Sequence, residues 1–92
     1  MTIMKQIDEC LTREFSGKPS LKRKWRAFLG TNPKTHCRML LLYHYHHLIL
    51  RYDVDHHVAL YEWWEKPADK RGLDSAKEWL GERQRKLKEK QE

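Results

Sequence analysis

The sequence predicts an all-α fold: a small bundle of four to five helices around a long central helix, about Pro33 to Trp64, in one domain spanning 1–92. Three observations lead there. Helix start and stop signals recur along the chain. Strand signals are poor: Val and Thr are sparse, and no Asn-Gly or Asp-Gly hairpin dipeptide occurs. Finally, the stretch RMLLLYHYHHLILRYDVDHHVALYEWW, Arg38 to Trp64, is apolar on most sides of a helical projection, as a buried central helix would be.

The first helix opens at Thr2, a capping residue, and carries Ile3, Met4, Ile7, Leu11 and Phe15 on one stripe. Ser16-Gly17 ends it, because glycine takes the left-handed conformation at low cost, and Pro19 blocks continuation. A second, short helix follows from Ser20 to Leu29. It places Leu21, Trp25, Phe28 and Leu29 inward, with Lys22, Arg23 and Arg26 outward, and Gly30 closes it.

Asn32-Pro33 reads as the start of the third helix, since proline at the first helical position loses no hydrogen bond. Cys37, Leu41, Tyr45, Leu48, Tyr52, Ala59 and Trp63 then share one stripe, up to a stop at Lys66-Pro67. Asp53 and Asp55 mark a place where this helix can break. The fourth helix is expected from Asp74 or Ser75, with Ser75-x-x-Glu78 as a capping box. Its inner face is Ala76, Trp79, Leu80 and Leu87, and the polar tail over 84–92 is expected to fray.

Charge is unevenly spread. The chain has 19 basic and 13 acidic residues, but the segment 16–51 holds eight of the basic residues and no acid. The segments before and after it each carry a net charge of −1. Clustered Lys and Arg without acids suit a polyanion, because binding releases condensed counterions. A short basic helix between two tight turns also has the outline of a helix-turn-helix unit. The expected function is therefore non-enzymatic DNA binding through Lys22, Arg23, Lys24, Arg26, Lys34 and Arg38. The alternative is a protein-interaction module, an adaptor or inhibitor, that sets the same patch against an acidic protein, with Trp64 and Tyr61 as interface anchors. The apolar excess of the central helix suggests a homodimer.

The six histidines invite a metal reading. His46, Asp53 and His57 fall on one side of the helical projection, but 11 residues of helix separate the two histidines by roughly 16 Å, too far for one ion. No cofactor is called for. No nucleophile–base pair or glycine-rich phosphate loop is recognisable, so catalysis is not expected. The longest apolar run, Met39 to Leu50, is shorter than the roughly 20 residues a membrane span needs, and the opening residues lack a leader's apolar core. A cytoplasmic protein is expected.

Overall fold

The computed structural model describes residues 2–19 and 24–91, the last four of them, 88–91, as backbone only. Among the described residues the order is α1 (Ile3–Phe15), β1 (Trp25–Thr31), β2 (Arg38–His44), β3 (His47–Asp53), β4 (Val58–Glu62) and α2 (Pro67–Gln91). The strands form one antiparallel sheet in the order β1-β2-β3-β4, and both helices pack on one of its faces. The architecture is mixed α/β, which overturns the all-α bundle.

The long helix over Pro33–Trp64 is instead β2, β3, β4 and their connections. The basic helix over Ser20–Leu29 fails too: β1 begins at Trp25, and 20–23 lie outside the described residues. With it goes the helix-turn-helix. The reason lies in the period. Trp25, Ala27 and Leu29 alternate with Arg26, Phe28 and Gly30, a pattern that a short helical stripe imitates. Leu40 and Leu42 face the helices while Leu41 and Tyr43 face away. A strand apolar on both faces looks, in projection, like a helix apolar all round.

The turns hid themselves for a related reason. Hairpins favour positive φ, which Asn-Gly and Asp-Gly supply cheaply. Here His36 (φ 61°), Tyr45 (φ 58°) and His57 (φ 57°) take that conformation in the three connections. Asp53, read as a possible helix break, does interrupt the chain. Its Oδ1 accepts hydrogen bonds from the backbone N–H groups of Asp55 and His56, both 3.0 Å, and so builds the β3–β4 turn.

The helices obey their signals more closely. Thr2 Oγ1 accepts from the Lys5 N–H, and Ile7 and Leu11 are wholly buried. At the other end Gly17 (φ 72°) donates to the Glu14 carbonyl and Lys18 to the Arg13 carbonyl, a Schellman closure. α2 starts earlier than the expected Asp74 or Ser75. Lys66-Pro67 opens the helix rather than stopping one, with Pro67 at the first helical position. Asp69 reaches back to accept from Lys66 N–H at 2.9 Å and Glu65 N–H at 3.3 Å. The backbone of α2 is helical to Gln91.

The core lies between helices and sheet: Ile7 and Leu11 from α1; Leu73, Ala76 and Leu80 from α2; and Trp25, Ala27, Leu40, Leu42, Ile49, Leu50 and Tyr52 from the sheet. Trp25 sits at its rim, stacked on His44 with ring centroids 4.1 Å apart. His44 Nδ1 hydrogen bonds to Asp69 Oδ1, so this stack ties the end of β2 to the first turn of α2. Among the described residues no helix is long and apolar enough to cross a membrane.

Candidate functional site

Among the described residues, two helices cover one face of the sheet and none covers the other. Strand register assigns the residues of that open face. β1 gives Arg26 and Phe28, opposite Tyr43 and Leu41 of β2. β3 gives Arg51, opposite Leu41 on one side and Tyr61 of β4 on the other. Leu48, opposite Tyr43, completes the centre. Phe28 and Tyr61 are 46% and 44% exposed, a high value for rings on a strand, and Phe28 meets Tyr43 edge to face at 5.8 Å. Phe28, Met39, Leu41, Leu48 and Arg51 line a shallow depression with the β1–β2 connection at its rim.

Electrostatically this face is one-sided. Arg26 is steadied at one end, where its Nη2 donates to the Tyr45 carbonyl at 3.2 Å. Arg51 is exposed at the centre. Among the described strand residues on this face the one acid is Asp53, which is buried and held by its own turn. Glu62 lies toward the helices, where its carboxylate accepts from Lys77 at 2.8 Å.

Among the described residues, the basic residues singled out in the sequence do not form one patch. Lys22 and Arg23 lie outside the described residues. Lys24 and Arg26 stand at the start of β1, whereas Arg38 stands level with its far end and Lys34 beyond it, roughly 20 Å along the strand. Lys34 is exposed in the β1–β2 connection. Arg38 pairs with Thr31, on the side of the sheet that faces the helices. It approaches Arg83 there, and burial, followed by the Arg38 charge, lowers the Arg83 pKa. Of the six, Arg26 belongs to the open face. Tyr61 lies on that face, and Trp64, 51% exposed, stands just past the end of β4. Phe28, Tyr43, Leu48 and Arg51 were missed as site residues. The signal that identifies them is alternation, once β1 to β3 are read as strands.

The metal candidates separate likewise. His46 lies in the β2–β3 turn and Asp53 at the far end of β3, roughly 20 Å away. Asp53 meets His56 and Cys37 instead of His46 and His57. His56 Nδ1 lies 2.8 Å from Asp53 Oδ2 and 3.7 Å from Cys37 Sγ. The His56 N–H, above all, holds the Asp53 carboxyl below the usual carboxylate range. Asp69 is also lowered: burial pushes it up, but the bonds from His44 and from the Lys66 and Glu65 N–H groups outweigh that. Cys10 is of a different kind. Burial, with the nearby Glu14 carboxylate, raises its pKa to about 11, and its thiol donates to the Trp25 carbonyl. Such a thiol is a packing group, not a nucleophile.

Compared with known proteins, the chain matches no family model, and no curated protein and no solved structure matches it significantly.

Proposed function

We propose that this protein is a binding module for single-stranded nucleic acid, and that the strand lies on the uncovered sheet face. One observation carries the reading: that face presents exposed aromatic rings beside two guanidinium groups, with no free carboxylate among its described strand residues. Unpaired bases stack on such rings whatever their sequence, and arginine serves both phosphate and ring faces. Phe28, Tyr43 and Tyr61 are the proposed stacking groups, and Arg26 and Arg51 the proposed phosphate contacts. The acid-free stretch 16–51 supports the same reading, because it contains all of β1 and β2 and most of β3.

The test is fluorescence anisotropy with a labelled mixed-sequence single strand and its duplex, at two salt concentrations. Binding should weaken steeply with salt and favour the single strand. Phe28→Ala should lose about 1–3 kcal/mol, roughly 5- to 150-fold in affinity. Arg51→Glu should weaken binding further and flatten the salt slope. Absence of binding at low salt, or binding untouched by both variants, refutes the reading.

A second reading rests on Leu41 and Leu48, which lie between the rings and suit an apolar partner surface on an acidic protein or on another copy of this chain. Light scattering across protein concentrations measures the homodimer directly.

A further inference from the structure

We propose that Cys37, Asp53 and His56 form a binding site for a zinc ion at the end of the sheet. Cys37 comes from the β1–β2 connection, Asp53 from the end of β3 and His56 from the β3–β4 turn, which the sheet brings together. Met39 pairs with Asp53, so the residues just before β2 lie beside the residues just after β3. Two hydrogen bonds fasten this junction. Arg38 N–H donates to Asp55 Oδ2 at 2.7 Å, and Val54 N–H donates to the Arg38 carbonyl at 2.9 Å.

The donor atoms already converge. One ligand atom from each residue lies within 4.8 Å of the other two. Around a tetrahedral zinc, with Zn–S about 2.3 Å and Zn–N about 2.0–2.1 Å, neighbouring ligand atoms sit about 3.3–3.6 Å apart. The Cys37 Sγ to His56 Nδ1 separation of 3.7 Å fits that edge. The His56 to Asp53 separation of 2.8 Å is a hydrogen bond, with a proton where the ion would sit. Replacing that proton by zinc opens the pair by roughly half an ångström, which the exposed His56 ring can absorb by a small rotation.

Asp53 is prepared for this role. Its Oδ1 is taken up by two backbone N–H groups, which fixes the carboxylate plane and turns Oδ2 toward His56. Oriented carboxylates of this kind are what hold a metal ligand set in place. Binding displaces the Cys37 thiol proton and leaves the imidazole neutral, with its remaining proton on Nε2. The choice of ion follows from the donors. A thiolate with an imidazole selects zinc over magnesium and calcium, which demand oxygen ligands. Three protein ligands leave the fourth position to water, on the solvent side where His56 is 65% exposed.

The test uses untagged full-length protein stripped with a chelator. Cobalt(II), the coloured substitute for zinc, is added and then displaced by zinc. One equivalent of cobalt should give thiolate-to-metal absorption in the near ultraviolet and intense visible bands of a tetrahedral ion. Cys10→Ser should leave both unchanged. Cys37→Ser should abolish the thiolate band, and His56→Ala should weaken zinc at least tenfold in competition with a chromophoric chelator. Cys37 is half-buried and His56 exposed on connections, and circular dichroism confirms that each variant is folded. Wild-type protein without a thiolate band at one equivalent, or a band that survives Cys37→Ser, overturns the proposal.

Discussion

A single methyl group should unseat the contact between α2 and the sheet. A Cβ added at Gly72 would lie 2.0, 2.4 and 2.7 Å from Cη2, Cζ3 and Cζ2 of Trp25. Carbon atoms pack at about 3.5–4.0 Å, so something must move by roughly 1.5 Å. The indole has little room to do so: Trp25 is 4% exposed and stacked on His44, which Asp69 holds. Overpacking of this kind costs about 1–3 kcal/mol or more. Helix propensity opposes it, since Ala is favoured over Gly by about 1 kcal/mol inside a helix. Gly81 on the same helix separates the two effects, because a Cβ there meets nothing within 4 Å. Gly81→Ala should therefore stabilise by about 0.5–1 kcal/mol, and Gly72→Ala should destabilise despite the same gain. In thermal unfolding each kcal/mol appears as about 4–8 °C in a domain of this size. A double-mutant cycle with Trp25→Phe completes the test. Phe lacks the distal ring atoms that the new Cβ would strike, so the Gly72→Ala penalty should shrink in that background. Trp25→Phe also removes a buried indole N–H that has no hydrogen-bond partner among the described residues. A Gly72→Ala protein as stable as Gly81→Ala would refute the packing described for the Trp25 ring.

Two further outcomes follow from the capping and titration of the fold. Gly17→Ala should cost about 1–2 kcal/mol in denaturant unfolding, because φ 72° is left-handed and the added Cβ strains it, although it would meet no atom of the described residues within 4 Å. Acid unfolding should report Asp53 and Asp69, whose pKa values are both lowered by folding. Their stabilisation is complete above the unfolded carboxylate value of about 3.9 and is lost as pH falls through the lower folded values. Stability measured by urea melts should thus be insensitive to these two groups near neutrality and drop below about pH 4. Asp69→Asn should be less stable at pH 7 and lose stability less steeply below pH 4; an unchanged acid limb would exclude Asp69 from it.

How much of this fold is legible in the sequence depends on the element. α1 is plain, because Thr2, the Ile7–Leu11 spacing and Gly17 all give local signals that the structure uses. α2 is half legible: its inner residues Ala76 and Leu80 are evident, but Lys66-Pro67 satisfies a stop rule and a start rule equally. What decides is Asp69, two residues on, whose carboxylate accepts from the N–H groups before the helix. The sheet is illegible for a physical reason. Its strands are apolar on both sides, and two bulges, at Leu42/Tyr43 and Arg51/Tyr52, shift the alternation within the pairs. Its turns use Tyr45 and His57 where glycine or asparagine would have announced them. The Cys37–Asp53–His56 cluster was equally hidden, because its members meet through strand register rather than through spacing along a helix.

With a strand in place of the basic helix, the proposed nucleic-acid function calls for a different kind of nucleic acid. A basic helix between turns implies entry into the major groove of a duplex, where base edges are read. Trp25 to Thr31 form a strand, so that implication lapses. The same acid-free segment instead supplies most of a sheet face on which Phe28 and Tyr43 stand beside Arg26 and Arg51. A shallow sheet with exposed rings has nothing to insert into a groove, and its rings have no stacking partner in a paired helix, whose bases already stack on one another. Unpaired bases can reach those rings, and the guanidinium groups can then follow the backbone. The preference for single strand over duplex is thus the measurement most sensitive to the fold itself: a preference for duplex would count against the sheet face even if the affinity were high.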